Sequence, residues 1–432
     1  MVRYGSRTRR LSAALLAGAL TLSLTGCGSS GGRDENVVTY WSMWKENEPQ
    51  AQVLHQTAAA FERDTGTKVD IQWQGRDVLK KIVPALRGGE VPDLVDQDQN
   101  LMRATLVSSG AYRDLTGLYN SPVSDGRKVS DVIAPRYADA VKNDGKPFLA
   151  PYEVIGYGLW FDASQLPEVA AKPPRTWREF VELLAHRKAA GRAPLALDAD
   201  IGQYNNLWTT GLLQGALGAE QVNQLAADHS GEAWRRHPGV RPVLEEIATL
   251  VRDGYFVPGY NGSKWPAIQE KWAQGEADFL LMGSWAPSET GAKARPGFQY
   301  HFAPLPTPGD QRYVPVESIG FAIPARAQHA GNAERFIAYV LRDEHLGKIA
   351  TVAKNLTPNP ELPAPPELTS LAEAAEQLHV ARSEDGIQAD YPGYTEEVLW
   401  PVNNQFLKGQ LDIEGFFQQL KEKQANYWKK KG

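Results

Sequence analysis

Few of the reactive residue types in this chain are spaced for chemistry. Eight histidines stand singly, at 55, 186, 229, 237, 301, 329, 345 and 379, none at metal-ligand spacing. No GxxxxGKS/T or HExxH occurs, so the phosphate cradle and the zinc-protease helix are absent. Gly156-Tyr157-Gly158 begins like a dinucleotide fingerprint, but Phe161 stands where its third glycine belongs. Glu245-Glu246 and Glu396-Glu397 are adjacent on helical segments and diverge, so neither pair faces one site. A carboxylate pair assembled by the fold, as in a glycosidase, remains open. One cysteine, Cys27, excludes an internal disulfide. Twelve tryptophans remain, and Trp is the side chain best suited to stack on a sugar ring, although most tryptophans in any fold are core. The balance favours binding over catalysis, with no metal and no cofactor expected.

The elements that must position these residues read as α/β. NVVTYWSMW is a buried strand. In PQAQVLHQTAAAFERDTG, Val53, Leu54, Thr57, Ala58 and Phe61 share one helical stripe that Gly66 ends. KVDIQW alternates at period two, completing a β-α-β unit with parallel strands. EVPDLVDQD is a short apolar strand ending in polar residues. Thr176 and Glu179 form a capping box before a helix with Trp177, Phe180, Val181 and Leu184 on one face. Residues 277–283 read as a buried strand, 331–353 as two helices joined near Asp343, and 411–428 as an amphipathic helix. The sheets are expected to be largely parallel. Stretches 151–158 and 313–320 are extended, with Gly156 and Gly158 as points of bending, and suit connections between two lobes.

The N-terminus reads as an export signal. MVRYGSRTRR carries four arginines and no acid, and a short apolar run follows, too short for a membrane-spanning helix. Leu24-Thr25-Gly26-Cys27 resembles the bacterial lipobox, which implies a leader over 1–26, a lipid on Cys27 and a flexible tether over 27–36. Without the leader the chain has 42 basic and 51 acidic residues, a balance that argues against nucleic acid as a partner.

Several segments together resemble one family. AFERDTGTKVDI, VPDLV, SSGAYRDLT, KPFLAPYEVIGYGLWFDASQLPEVAAKPPRTWREF, WAQGEADFLLMGSWAPSE and NAERFIAYVLRDEHLGKIATVAKNLTPNP, in this order, are similar to the carbohydrate-binding lipoproteins of bacterial ABC importers, the maltose-binding-protein-like family 1. The resemblance spans 37–428. It implies the two-lobed, type II Venus-flytrap fold of periplasmic binding proteins. Lobe 1 would hold 37–152 and 315–356, and lobe 2 would hold 153–314 and 357–432. A monomer lipid-anchored to the outer face of the cytoplasmic membrane would trap a carbohydrate between the lobes and pass it to a permease coupled to a cytoplasmic ATPase. An exported glycoside hydrolase or cell-wall enzyme is the alternative of another class. A sugar alcohol, a glycerophosphate ester or a peptide are alternative ligands.

The candidate site residues follow from both readings. Trp44, with Lys45 and Glu46, lies where the first strand opens onto a cleft, the usual ligand position in open α/β sheets. Gln97, Asp98 and Gln99 follow the VPDLV strand and suit sugar hydroxyls. Glu153 and Tyr157 sit at the proposed crossing. The resemblance adds Trp285 as a stacking platform, Gln203 and Tyr204 on a ligand-bearing loop, and Tyr394 as a further platform. Glu317 replaces the glycine-rich crossing common in the family, as a ligand contact or a bridge between lobes. Trp208 and Trp400 are read as core.

Overall fold

The computed structural model describes residues 36–124, 126–309, 312–382 and 386–431. The expected leader, Cys27 and the tether up to residue 35 lie outside them. The first strand, β1 (Val37–Ser42), buries Val38, Tyr40 and Ser42 on one face. Helix α1 (Pro49–Thr65) starts with a proline at its first position, which suits a backbone lacking that N–H. It ends at Gly66, whose φ of 73° is the left-handed cap that glycine adopts without strain. The predicted stripe of Val53, Leu54, Thr57, Ala58 and Phe61 is its buried face. Each large apolar side chain so buried contributes about 1.5–3 kcal/mol. Strand β2 (Lys68–Trp73) then pairs parallel with β1, and β3 (Leu94–Asp98) pairs parallel with its other edge.

The remaining strands of the sheet are β4 (Ala150–Asp162), β5 (Ala193–Ala196), β6 (Ala277–Gly283), β7 (Tyr300–Ala303), β8 (Tyr313–Ala322) and β9 (His379–Arg382). Their order is β2-β1-β3-β8-β4-β6-β5, with β7 on β4 and β9 on β8. The sheet is mixed rather than largely parallel. β8 runs antiparallel to both β3 and β4, and β4 antiparallel to β6 and β7. The expected exchange points between lobes, at 152/153 and 314/315, fall inside β4 and β8. β4 passes through Gly156 and Gly158 as one strand of 13 residues. Both glycines admit close neighbours. A Cβ on Gly156 would sit 2.6 Å from the Leu371 side chain, and one on Gly158 2.4 Å from Phe302.

Two apolar clusters flank this sheet. One gathers Tyr40, Phe61, Phe321 and Phe336; the other gathers Phe161, Phe180, Leu244 and Phe416. Helix α2 (Trp177–Ala189) carries the predicted capping box. Its Glu179 N–H donates to Thr176 Oγ1 at 3.2 Å, and Glu179 Oε2 accepts from the Thr176 N–H at 3.4 Å. Helix α3 (Gly202–Leu217) buries Trp208 completely, as read, whereas Trp400 is half-buried. Helices Ala330–Val340 and Asp343–Thr351 form the predicted pair, and Ile413–Lys431 the last helix. Among the described residues no helix is long and apolar enough to cross a membrane.

Candidate ligand site

A cavity of about 640 Å³ opens beside the crossing strands. Period two along β4 presents Glu153, Ile155 and Tyr157 to it, and β8 adds Glu317 and Ile319. The end of β3 contributes Gln97 and Asp98, the β1–α1 connection contributes Trp44 and Glu48, and the first turn of α1 contributes Gln50. The opposite wall is Gln203 and Tyr204 at the start of α3, with Trp285, Ser288 and Glu289 just after β6.

The aromatic groups are held by identifiable neighbours. The Trp285 ring meets Tyr157 edge-on at 5.6 Å and Tyr204 at 5.9 Å with a 38° tilt. Gly283 makes room for this indole, because a Cβ there would lie 2.2 Å from a Trp285 ring carbon. The Gly-x-Trp spacing is thus a packing requirement. Trp44 is fixed through a buried chain. Its Nε1–H donates to the Tyr152 hydroxyl at 2.6 Å, and that hydroxyl donates to Asp96 Oδ2 at 2.6 Å. Asp96 Oδ1 also accepts from the Met43 N–H at 2.7 Å. One face of Trp44 carries the Arg76 guanidinium, 4.5 Å from the ring centroid. Arg76 is paired through both terminal nitrogens with Glu48, at 2.9 and 2.6 Å. Gln97 steadies this corner by donating from Nε2 to the Arg76 carbonyl at 3.0 Å.

The carboxylates are the distinctive electrostatic feature. Glu153 is 1% exposed, with Gln50 Nε2 donating to it at 3.2 Å and Asn355 Nδ2 at 3.0 Å. Burial pushes its pKa up to about 8. Asp98 accepts from the backbone N–H groups of Asn100 and Leu101, at 2.8 and 3.1 Å. Burial raises its pKa, and the nearby Glu317 charge raises it further. Glu317 accepts from Asn100 Nδ2 at 3.2 Å and from the Tyr157 hydroxyl at 2.7 Å. Glu289 is raised by burial and held by Gln269 Nε2 at 2.8 Å. Among the described residues no group of His, Cys, Asp and Glu is arranged to hold a metal ion.

The structure brings Trp44, Gln97, Asp98, Glu153, Tyr157, Gln203, Tyr204, Trp285 and Glu317 to one cavity. It does not bring Lys45, Glu46, Gln99 or Tyr394 there. Lys45 and Glu46 are exposed in the turn before α1, and Glu48 and Gln50 occupy the lining instead. Gln97 and Asp98 belong to β3 itself rather than to a loop after it, and Gln99 is buried outside the lining. Tyr394 corrects a reading outright. It is fully buried in the second cluster, its hydroxyl donates to Gln424 and its ring packs on Tyr427 at 5.2 Å. The lining residues not read from the sequence are chiefly Glu48, Gln50, Arg76, Glu289, Asn355 and Gln388. Only the first two carried a signal, their closeness to Trp44.

The family model described as bacterial extracellular solute-binding protein matches residues 45–345. The chain belongs to this family. Its members bind and deliver solutes outside the cell and do not turn them over. A relative in Streptomyces coelicolor, the diacetylchitobiose binding protein NgcE, is 23% identical over 363 residues, covering 80% of this chain and 76% of its own. The multiple sugar-binding protein of Streptococcus mutans is 22% identical over 344 residues, covering 75% and 76%. Among solved structures, apo RafE from Streptococcus pneumoniae superposes with a TM-score of 0.76 at 18% identity, covering 92% of this chain and 99% of its own. The two-domain fold of these solute-binding proteins is therefore also the fold of this chain.

Proposed function

We propose that this chain captures a sugar or oligosaccharide for a bacterial ABC importer, held by Trp285, Tyr157 and Tyr204 and by the surrounding carboxylates and amides. The observation that carries this reading is the cavity's pairing of aromatic faces with buried hydroxyl partners. A sugar presents apolar C–H faces and a polar rim, and such a lining satisfies both once water is expelled. Relatives named for binding diacetylchitobiose and multiple sugars support the same class. Among the described residues Arg76 is the one cationic residue in the lining and is already paired with Glu48, which disfavours a phosphate ester.

Lobe 1 (37–152 and 315–356) and lobe 2 (153–314 and 357–432) close on the ligand because it touches both. Moving a 1:99 equilibrium to 99:1 takes about 5.5 kcal/mol of differential affinity. The closed form then docks on the permease. Cys27 carries the lipid that keeps this monomer at the outer face of the cytoplasmic membrane.

The test is a thermal-shift and tryptophan-fluorescence screen of mono- and oligosaccharides on protein lacking residues 1–27. A saturable response without turnover is expected. At a hundredfold excess over Kd the ligand should add about 2.7 kcal/mol of stability. Silence across a broad sugar panel sinks the reading. Loss of membrane retention in Cys27→Ala tests the anchor.

A further inference from the structure

The floor of the cavity is a triangle of acids. Ile319 of β8 stands opposite Asp98 of β3 on one side and opposite Glu153 of β4 on the other. Glu317, two residues before Ile319 on the same face, is the diagonal neighbour of both, a spacing of about 7–8 Å in an antiparallel pair. All three carboxyl groups line the cavity. The hydrogen bonds described above reach them from amides, a phenol and backbone N–H groups, not from a cation. Among the described residues the lining holds one cation, Arg76, and Glu48 accepts from both of its terminal nitrogens. Asp96 behind the floor and Glu289 on the facing wall add further acids. Tyr204, its pKa pushed up by burial to about 12, stays neutral. Arg103 and Asp390, just past Leu101 and Gln388, face a separate cavity.

Acids placed in this way do not all ionise together, because each charge raises the cost of the next where little water reaches. Glu153, with a pKa of about 8, already holds its proton at neutral pH. Asp98 is the group in balance, since burial and then the Glu317 charge lift it out of the usual carboxylate range toward neutrality. An uncharged ligand expels water from this floor and brings no cation. Its hydroxyls donate to a carboxylate as the departing water did, so hydrogen bonding exchanges like for like while the lost solvent is not replaced. We infer that capture of an uncharged ligand takes up a proton at the Asp98–Glu317 pair, so that the trap holds its ligand more tightly in acid than in alkaline surroundings. This rests on the sugar reading above and adds a proton to it. Affinity is full where the free protein already holds the proton, and it falls as pH climbs through the titration of the free pair. A positively charged ligand gives the opposite sign, because it favours the ionised floor.

The test uses the full-length chain in detergent. The probes are diacetylchitobiose, maltotriose, raffinose and galactose, all uncharged, with any further uncharged sugar that binds in the panel above. Calorimetry at neutral pH in phosphate, MOPS and Tris, which differ in ionisation enthalpy, counts the protons exchanged per sugar bound. The wild type should take up about 0.3 to 1 proton, and across about pH 5 to 9 its Kd should rise about three- to tenfold per unit above the titration of the pair. Glu317→Gln should cut the uptake and move the rise in Kd to lower pH. Asp98→Asn should abolish the uptake, and Glu289→Gln on the facing wall should keep it, whatever its affinity. Zero exchange or proton release in the wild type overturns this inference and leaves the sugar reading standing. So does uptake undiminished in either Asp98→Asn or Glu317→Gln, or lost in Glu289→Gln. Silence from every probe and from the broad sugar panel overturns both.

Discussion

The Tyr157 hydroxyl donates to Glu317 Oε2 at 2.7 Å, linking two neighbouring antiparallel strands at the floor of the cavity. The bond orients an acceptor in the lining and fixes the ring that meets Trp285 edge-on. Tyr157→Phe and Glu317→Gln should each weaken ligand binding, and the double variant should lose less than the sum. A double-mutant cycle by calorimetry should return a coupling of about 1–2 kcal/mol. Strict additivity would show that the two residues contact ligand independently.

Glu317 also bears on its neighbour Asp98. Because the Glu317 charge helps raise the Asp98 pKa, Glu317→Gln should lower it, leaving burial as the remaining cause. Carboxyl carbon NMR titration of Asp98 in the two proteins reads the direction. An unchanged or higher midpoint in the variant contradicts the coupling.

Glu153 sets a pH dependence of stability. Its folded pKa of about 8 lies above the reference of 4.5, so the folded state holds a proton that the unfolded state has released. Stability from this group is full below about pH 4.5 and falls as pH rises toward 8. Glu153→Gln keeps a carbonyl acceptor for Gln50 and Asn355 and removes the titration. It should gain on the order of 1–3 kcal/mol over the wild type at pH 8.5 and little at pH 4. Urea unfolding at both pH values measures this; a gain independent of pH rules it out.

Trp285 and Tyr394 should separate affinity from stability. Trp285→Ala should weaken ligand binding about 10–100-fold with the fold retained. Tyr394→Ala should cost about 3–5 kcal/mol of stability, as large-to-small core changes do, and leave the affinity of the folded fraction unchanged. Gly283→Ala should act like Trp285→Ala on binding, because its Cβ takes the space of the indole. Fluorescence titration beside urea unfolding distinguishes the three.

What was legible in the sequence had a local cause. The α1 stripe, the Thr176 capping box and the 277–283 strand each declare themselves within about a dozen residues, through period, cap or apolar run. Trp44 is legible because an aromatic at a strand end is itself a signal, whereas Trp285 comes from the family resemblance. Arg76, Asn355 and Gln388 are not legible, because each lies outside the main strands and reaches the cavity only through tertiary packing. The antiparallel pairing of β4 with β8 is not legible locally, because the two strands lie about 160 residues apart and neither segment encodes the direction of the other. Tyr394 misled because its hydroxyl finds Gln424 thirty residues later, a partner no local window contains.

The cavity draws its walls from Met43 to Gln388, so its lining is assembled from segments far apart in sequence. Contacts of such long sequence separation form late, after much loop-closure entropy has been spent. During export the N-terminal part of the wall emerges with nothing opposite it. A chain cut short of residue 388 therefore has an incomplete wall, and ligand capture requires that nearly the whole chain has emerged and packed.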